Sequence, residues 1–390
     1  MKKIVLIILY IVFPIVILSQ PCLPEGITFS TQSQIDSFQI IYPGCFEIEG
    51  DVSINGHNIT NLDGLSVLEK IGGTLYIGGT VFLSDLSGLN NLQSIKDDLI
   101  IAGNDALTGL YGLETLESIR HHFEIYDNDA LINLEGLDKL SAIGRDLIIG
   151  GPYGKGNKSL VNLSGLDSLA TIGWDLEIKE NENLVSLTGL ENLEQGTINH
   201  LVIENNNSLS ACDVASICSY LGSPNGYVSI RNNDTGCNSP VEIADACGFT
   251  MPCLPNGIYY FNKQEQIDSF TSDYPDCTIL EGDVIVSGED ITNLAGLSDV
   301  TAIDGNLLIY GNEALTNLAG LENLEGIVGN LSLGSIDNYG QILAGNPSLT
   351  DISALQNLWY VGGDLIITHN DVLTDLSGLD SLPNVGGSIN

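Results

Sequence analysis

The dipeptide Gly-Leu recurs at Gly64, Gly88, Gly112, Gly136, Gly165 and Gly189, in steps of 24, 24, 24, 29 and 24 residues. A fixed period of this kind constrains a chain more than local propensity does, because each unit has to fold against a copy of itself. Around every Gly-Leu lies one pattern: a short strand, a turn carrying Asn, then Leu-x-x-Leu-x-Gly-Leu-x-x-Leu-x-x-Ile. In the unit that starts at Asp98 this places Leu99, Ile101, Leu107, Leu110, Leu113, Leu116 and Ile119 inward. Burying that set does not offset the entropy of ordering the whole unit, so one unit cannot fold alone. There is no helical period, and turn residues come every few positions. Each unit therefore reads as one coil of an all-β solenoid. Leu75–Ile77, Leu99–Ile101, Leu147–Ile149 and Leu176–Ile178 are its strands, pairing in parallel about 4.8 Å apart.

A larger duplication sits above the short one. Cys22-Leu-Pro-Glu-Gly-Ile27 returns as Cys253-Leu-Pro-Asn-Gly-Ile258, and Gln34-Ile-Asp-Ser-Phe38 returns as Gln266-Ile-Asp-Ser-Phe270. Each segment closes at a cysteine, Cys45 or Cys277, and reads as an N-terminal cap: a short helix, around Ile35–Phe38 in the first copy, pinned by one disulfide. Solenoid ends expose apolar surface and need such covers. After Leu209 the pattern breaks into two helical segments that carry Cys212, Cys218, Cys237 and Cys247. The expected organisation is a first solenoid over 20–250, with caps at 22–48 and 210–248. A second follows over 251–390, with its N-terminal cap at 253–280 and its far cap beyond residue 390.

Lys2 and Lys3 precede an apolar run from Ile4 to Leu18, broken only by Pro14 and followed by Ser19. This is short for a membrane span, which needs about 20 residues, and suits a signal peptide over 1–19. Export makes disulfides the expected state of the eight cysteines, none of which has the paired spacing of a zinc site. Closing the loop from Cys22 to Cys45 stabilises by roughly 3.5 kcal/mol in the chain-entropy account. The cluster Cys212, Cys218, Cys237 and Cys247 allows three pairings, which sequence leaves open. The whole chain carries 12 Lys+Arg against 50 Asp+Glu, a net charge of −38. That balance argues against nucleic acid or an anionic membrane as partner, since both need clustered cations. With 43% apolar residues the chain is no disordered acidic tail either.

The strand-turn Asp-Leu-x-Ile-x-x-Asn, the Leu-x-x-Leu-x-Gly-Leu run and the disulfide-pinned caps together resemble the receptor L domain family, in two tandem copies. The resemblance implies a right-handed, single-stranded parallel β-helix, akin to leucine-rich repeats, that is used for binding outside the cell or on its surface.

A solenoid turns sequence positions into columns. The turn residues Asn104, Asn128, Asn157, Asn181, Asn206 and Asn233, with Asn312, Asn346 and Asn370, form an expected ladder that satisfies backbone groups and takes up left-handed turns. Just before the strands lies a column of Asp51, Thr74, Asp98, His122, Asp146, Asp175 and His200. Asp98, His122 and Asp146 are its candidate ligands for Ca²⁺ or another divalent ion, against the plainer reading of a solvated turn. A third set points outward from the sheet: Tyr76, Ile100, Glu124, Ile148, Glu177 and Val202, then Ala102, Tyr126, Lys179, Glu204 and Arg231. Two insertions on one face add Tyr153 and Lys155 in the first copy and Tyr339 in the second. Together they form a candidate docking surface for an extracellular protein or glycan.

The rival is a carbohydrate-active enzyme, either a pectate-lyase-like β-helix or its substrate-binding part. Such chemistry needs acidic calcium ligands and a cationic base in one groove. The only arginines, Arg120, Arg145 and Arg231, fall in three separate units. The expectation is a non-enzymatic binder with no cofactor.

Overall fold

The computed structural model describes residues 21–151, 154–336 and 342–390; the leader at 1–19 and both insertion tyrosines, Tyr153 and Tyr339, lie outside these. Alternation of inward Leu and Ile with outward residues builds one parallel strand per unit. Nine of these strands form a continuous sheet, from Ile27–Phe29 at one end to Val228–Arg231 at the other. The register advances by one whole unit each time: Leu75 lies opposite Leu99, Leu99 opposite Phe123, and Phe123 opposite Leu147. Most coils also add a two-residue strand, in the repeats where the Leu-x-x-Ile run closes. Seven of these, from Pro21–Cys22 to Thr171–Ile172, pair in a second parallel sheet. The second copy repeats the plan with sheets of five and four strands. Between the sheets, the inward set of the unit at Asp98 is 0–1% exposed, as its spacing requires.

The recurring Gly-Leu has a steric cause. Gly112 and Gly136 adopt φ of +112° and +111°. A Cβ at Gly112 would lie 1.9 Å from the carbonyl oxygen of Leu86 in the coil before. Only glycine lets the chain turn there and approach its neighbour that closely.

The asparagine ladder is present, and it is buried: Asn104, Asn128, Asn157, Asn181 and Asn206 have no exposed surface. Asn104 donates from its backbone N–H and its Nδ2 to Oδ1 of Asn128, at 3.1 and 3.0 Å. Asn128 does the same to Asn157, Asn157 to Asn181, and Asn181 to Asn206. Each Nδ2 also donates to a strand carbonyl of the coil before, as Asn128 does to Ile101 at 2.9 Å. Thr80 opens the ladder through its hydroxyl, which donates to Asn104 at 2.6 Å. Asn238 closes it by accepting the N–H of Asn233. The left-handed residue is not the ladder asparagine, as expected, but the one before it: Gly103, Asp127, Glu180 and Asn205 have φ of +58° to +68°.

The caps are duplicated down to single hydrogen bonds. Each N-terminal cap has two short helices, Gln32–Asp36 with Phe38–Ile41 and Gln264–Asp268 with Phe270–Asp273. In the first copy Gln32 Oε1 accepts the N–H of Thr60, and in the second Gln264 accepts that of Thr292, both at 2.8 Å. Cys22 bonds Cys45 and Cys253 bonds Cys277. In the far cap of the first copy, helices Ala215–Leu221 and Pro240–Cys247 are held by Cys212–Cys237 and Cys218–Cys247, which selects one of the three pairings.

Asn128→Ala removes one rung and strands the N–H of Asn104 in the interior. It is expected to destabilise by about 2–5 kcal/mol, read from urea unfolding. Asn192→Ala, whose side chain donates on the exposed surface to Asp167, should shift stability by no more than about 0.5 kcal/mol.

Candidate binding surface

Parallel register brings the outward residues of the long sheet into rows. Tyr76, Ile100, Glu124, Ile148, Glu177, Val202 and Ser229 stand side by side, one per coil. The first five are half-buried and Val202 is buried, because side chains so close together cover each other's flanks. In the next outward row Ala102 is buried, and Tyr126, Lys179, Glu204 and Arg231 are half-buried. The charges of this face are largely paired within it. Lys179 Nζ lies 2.6 Å from Glu177 Oε2. Arg231 Nε donates to Glu204 Oε1 at 3.0 Å, and Ser229 donates to the same oxygen.

Glu124 is different. Its register neighbours are Ile100 and Ile148, and it makes no ion pair among the described residues. Burial pushes its carboxyl above the ordinary value of 4.5; nearby His122 opposes this, while Asp98, Asp146 and Glu177 add to it. Burial likewise raises the Tyr126 hydroxyl, with the Glu124 carboxylate contributing. Tyr76 lies across Gly78, where a Cβ would meet its hydroxyl oxygen at 2.2 Å.

The first insertion borders this face. Gly151 and Asp127 both donate to the carbonyl of Lys155, at 3.0 and 3.1 Å, and Lys155 is exposed. The Tyr126 ring lies close to Gly151, so the insertion extends the second outward row. The second insertion contains an antiparallel pair, Ser335–Ile336 with Ile342–Ala344.

The column before the strands is a second ladder, made of side-chain oxygens. Asp51 Oδ1 accepts the N–H of Thr74, Asp98 that of His122, and Asp146 that of Asp175, at 2.8 to 3.0 Å. Asp283, Asn306, Asn330 and Asp364 repeat it in the second copy. His122 Nδ1 lies 2.9 Å from Asp146 Oδ2. Asp98 therefore meets His122 at its backbone and Asp146 meets it at its ring. Among the described residues, the acids and histidine whose ligand atoms fall within 4.8 Å of one another are Asp97, Asp98 and His121.

Where the two copies meet, the Arg231 guanidinium lies 5.8 Å from the centroid of the Tyr260 ring. A cavity of about 500 Å³ opens there between Asn233 and Glu242 on one side and Tyr260 and Lys263 on the other.

Residues 276–333, from the end of the second N-terminal cap to the strand Leu331–Leu333, match the receptor L domain family. The family resemblance carried by the repeat and cap motifs is thus recovered in the second copy. No curated protein matches the chain. Among solved structures, an internalin from Listeria monocytogenes is 16% identical, covering 84% of this chain and 82% of its own, with a TM-score of 0.40. A TLR13–ssRNA13 complex is 14% identical, covering 95% of this chain and 65% of its own, with a TM-score of 0.19.

Because the folded pKa of Glu124 is raised, the folded state binds its proton more tightly than the unfolded chain does. Its carboxylate therefore costs stability, increasingly as pH rises above 4.5. Glu124→Gln should raise the melting temperature at pH 7, and the difference from the parent should vanish as pH falls below 4.5.

Proposed function

With residues 276–333 a receptor L domain segment and both copies built from the same coil, we propose that this chain is an exported, non-enzymatic binding protein whose long sheet docks an extracellular protein. The observation that carries this is Glu124, a partly desolvated carboxylate between Ile100 and Ile148 and beside Tyr126. A Lys or Arg of a partner entering there gains a charge-assisted bond in a partly desolvated setting flanked by apolar contact. The pairs Lys179–Glu177 and Arg231–Glu204 are already formed, so binding need not reorganise them. The net charge of −38 speeds the approach of a basic surface.

Four disulfides and the N-terminal leader pattern support export. No helix among the described residues is long and apolar enough to cross a membrane. The acids before the strands act as ladder acceptors, which supports a structural role for them over a catalytic one.

The test is an array of extracellular proteins probed with the purified chain. Any specific partner should be lost with Ile100→Arg and Ile148→Arg and retained with Val161→Arg, an exposed change away from the outward rows. A partner indifferent to both face variants contradicts the reading. No cofactor is proposed: restoring Ca²⁺ or Zn²⁺ after chelation should leave the melting temperature unchanged, and a rise would reassign Asp97, Asp98 and His121 as a cation site.

A further inference from the structure

One corner of the first solenoid departs from its own repeat. Two residues before the first inward residue of each long strand, the chain has Glu25 in its first coil, then glycine at Gly50 and Gly73, and again at Gly226, Gly257, Gly282, Gly305, Gly329, Gly363 and Gly387. The reason is close approach: a Cβ at Gly73 would lie 2.2 Å from Asp51 Oδ1, and one at Gly363 would lie 2.2 Å from Asn330 Oδ1. These are the oxygens that join successive coils. In the five coils between Gly73 and Gly226 the position is instead Asp97, His121, Arg145, Trp174 and Asn199. One residue earlier, where the coil of Gly73 has Gly72, stand Lys96 and Arg120. Five consecutive coils thus carry a side chain at the position where, apart from Glu25 in the first coil, every other coil keeps glycine.

They form a continuous row. His121 N–H donates to the carbonyl of Asp97 at 3.2 Å, Arg145 to His121 at 3.0 Å, Trp174 to Arg145 at 3.2 Å and Asn199 to Trp174 at 2.7 Å. Four coil rises of about 4.8 Å make the row roughly 19 Å long. His121 Nδ1 bonds to Asp97 Oδ1. The Arg145 guanidinium lies 5.4 Å from the Trp174 ring centroid, and Trp174 is 49% exposed. Arg120 and Arg145 are exposed and, among the described residues, have no carboxylate within 4.0 Å, although the chain carries 50 acids; Arg231, by contrast, is paired with Glu204.

We propose that this row is a binding strip for a linear acidic oligosaccharide lying along the solenoid axis. A pyranose chain advances by about one coil rise per sugar, so successive sugars meet successive side chains. An extended peptide advances 3.2–3.4 Å per residue and presents one face every second residue, which falls out of step with the coils. The indole of Trp174 offers a flat apolar surface for the C–H face of a sugar ring. The forks of Arg120 and Arg145 match a uronate carboxylate or a sulfate, and Asp97, His121 and Asn199 supply partners for hydroxyls. A neutral sugar would leave both guanidiniums without a counter-charge. The strip lies at the edge of the long sheet and does not involve Glu124 or its row, so it stands independently of the protein-docking face.

The chain has two tryptophans, Trp174 and Trp359, so Trp359→Phe leaves Trp174 as sole reporter. This protein is titrated with tetragalacturonate, with a sulfated tetrasaccharide and with neutral cellotetraose, following Trp174 emission and heat in parallel. Saturable binding is expected for at least one acidic sugar, weakened by salt and weakened at least roughly tenfold by Arg120→Gln and by Arg145→Gln. The two acidic probes separate carboxylate from sulfate recognition. Ile100→Arg on the sheet face should leave binding intact, and all variants should melt as the parent does. The proposal is overturned by no saturable response to either acidic sugar, by equal binding of cellotetraose, by indifference to both arginine variants, by loss in Ile100→Arg, or by equal competition from a poly-glutamate peptide.

Discussion

An asparagine side chain carries one strong acceptor and one doubly donating nitrogen, and in this protein both are used between coils. Oδ1 of each ladder residue takes the backbone N–H and the Nδ2 of the coil before, while its own Nδ2 reaches a strand carbonyl. This works only if the coils repeat at one spacing and in one register. The other regularities follow from that demand. Glycine is needed where a Cβ would strike the previous coil, as at Gly112. The residue before most ladder asparagines, such as Gly103, Asp127, Glu180 and Asn205, turns left-handed. The parallel strands pair coil on coil without slipping, so the interior fills with stacked Leu and Ile.

Much of this is written in the period. The inward set of the unit at Asp98, the ladder asparagines and the two cap sequences can all be read from spacing, because a buried position has to be apolar, or Asn, in every copy. What a single unit does not encode is harder to see. The pairing among Cys212, Cys218, Cys237 and Cys247 depends on how two helices fold over the last coil. The two-residue strands are too short to stand out from their turns. Outward positions look exposed by alternation, yet Tyr76, Ile100 and Glu124 are half-buried by their neighbours on adjacent coils. The metal trio read from the column, Asp98, His122 and Asp146, is spread along a ladder whose oxygens already accept backbone N–H groups. Arg120 and Arg145 are far apart in sequence, but stacking brings them to successive coils at one corner. The signal for that corner is the loss of glycine at one repeat position, visible only once the units are aligned by strand.

The charge of the chain takes on a layout. Several acids serve as ladder acceptors or partners for the few cations of the long sheet, and Glu124, among the described residues, stands without an ion pair between isoleucines. The corner from Asp97 to Asn199 collects an exposed indole and two guanidiniums that have no carboxylate partner among the described residues. The first solenoid thus presents two chemically distinct surfaces, one suited to a basic group and one to an anion. Both sit on a core whose rigidity comes from hydrogen bonds that run from coil to coil.

Amide hydrogen exchange at the ladder tests this account most directly. The N–H groups of Asn104, Asn128, Asn157 and Asn181 lie in turns but donate to a buried side-chain oxygen of the next coil. They are predicted to exchange as slowly as the strand amides of Ile101 and Ile125, opening only when the coils separate. Exchange at the rate of exposed turn amides would contradict the claim that the ladder holds the solenoid together.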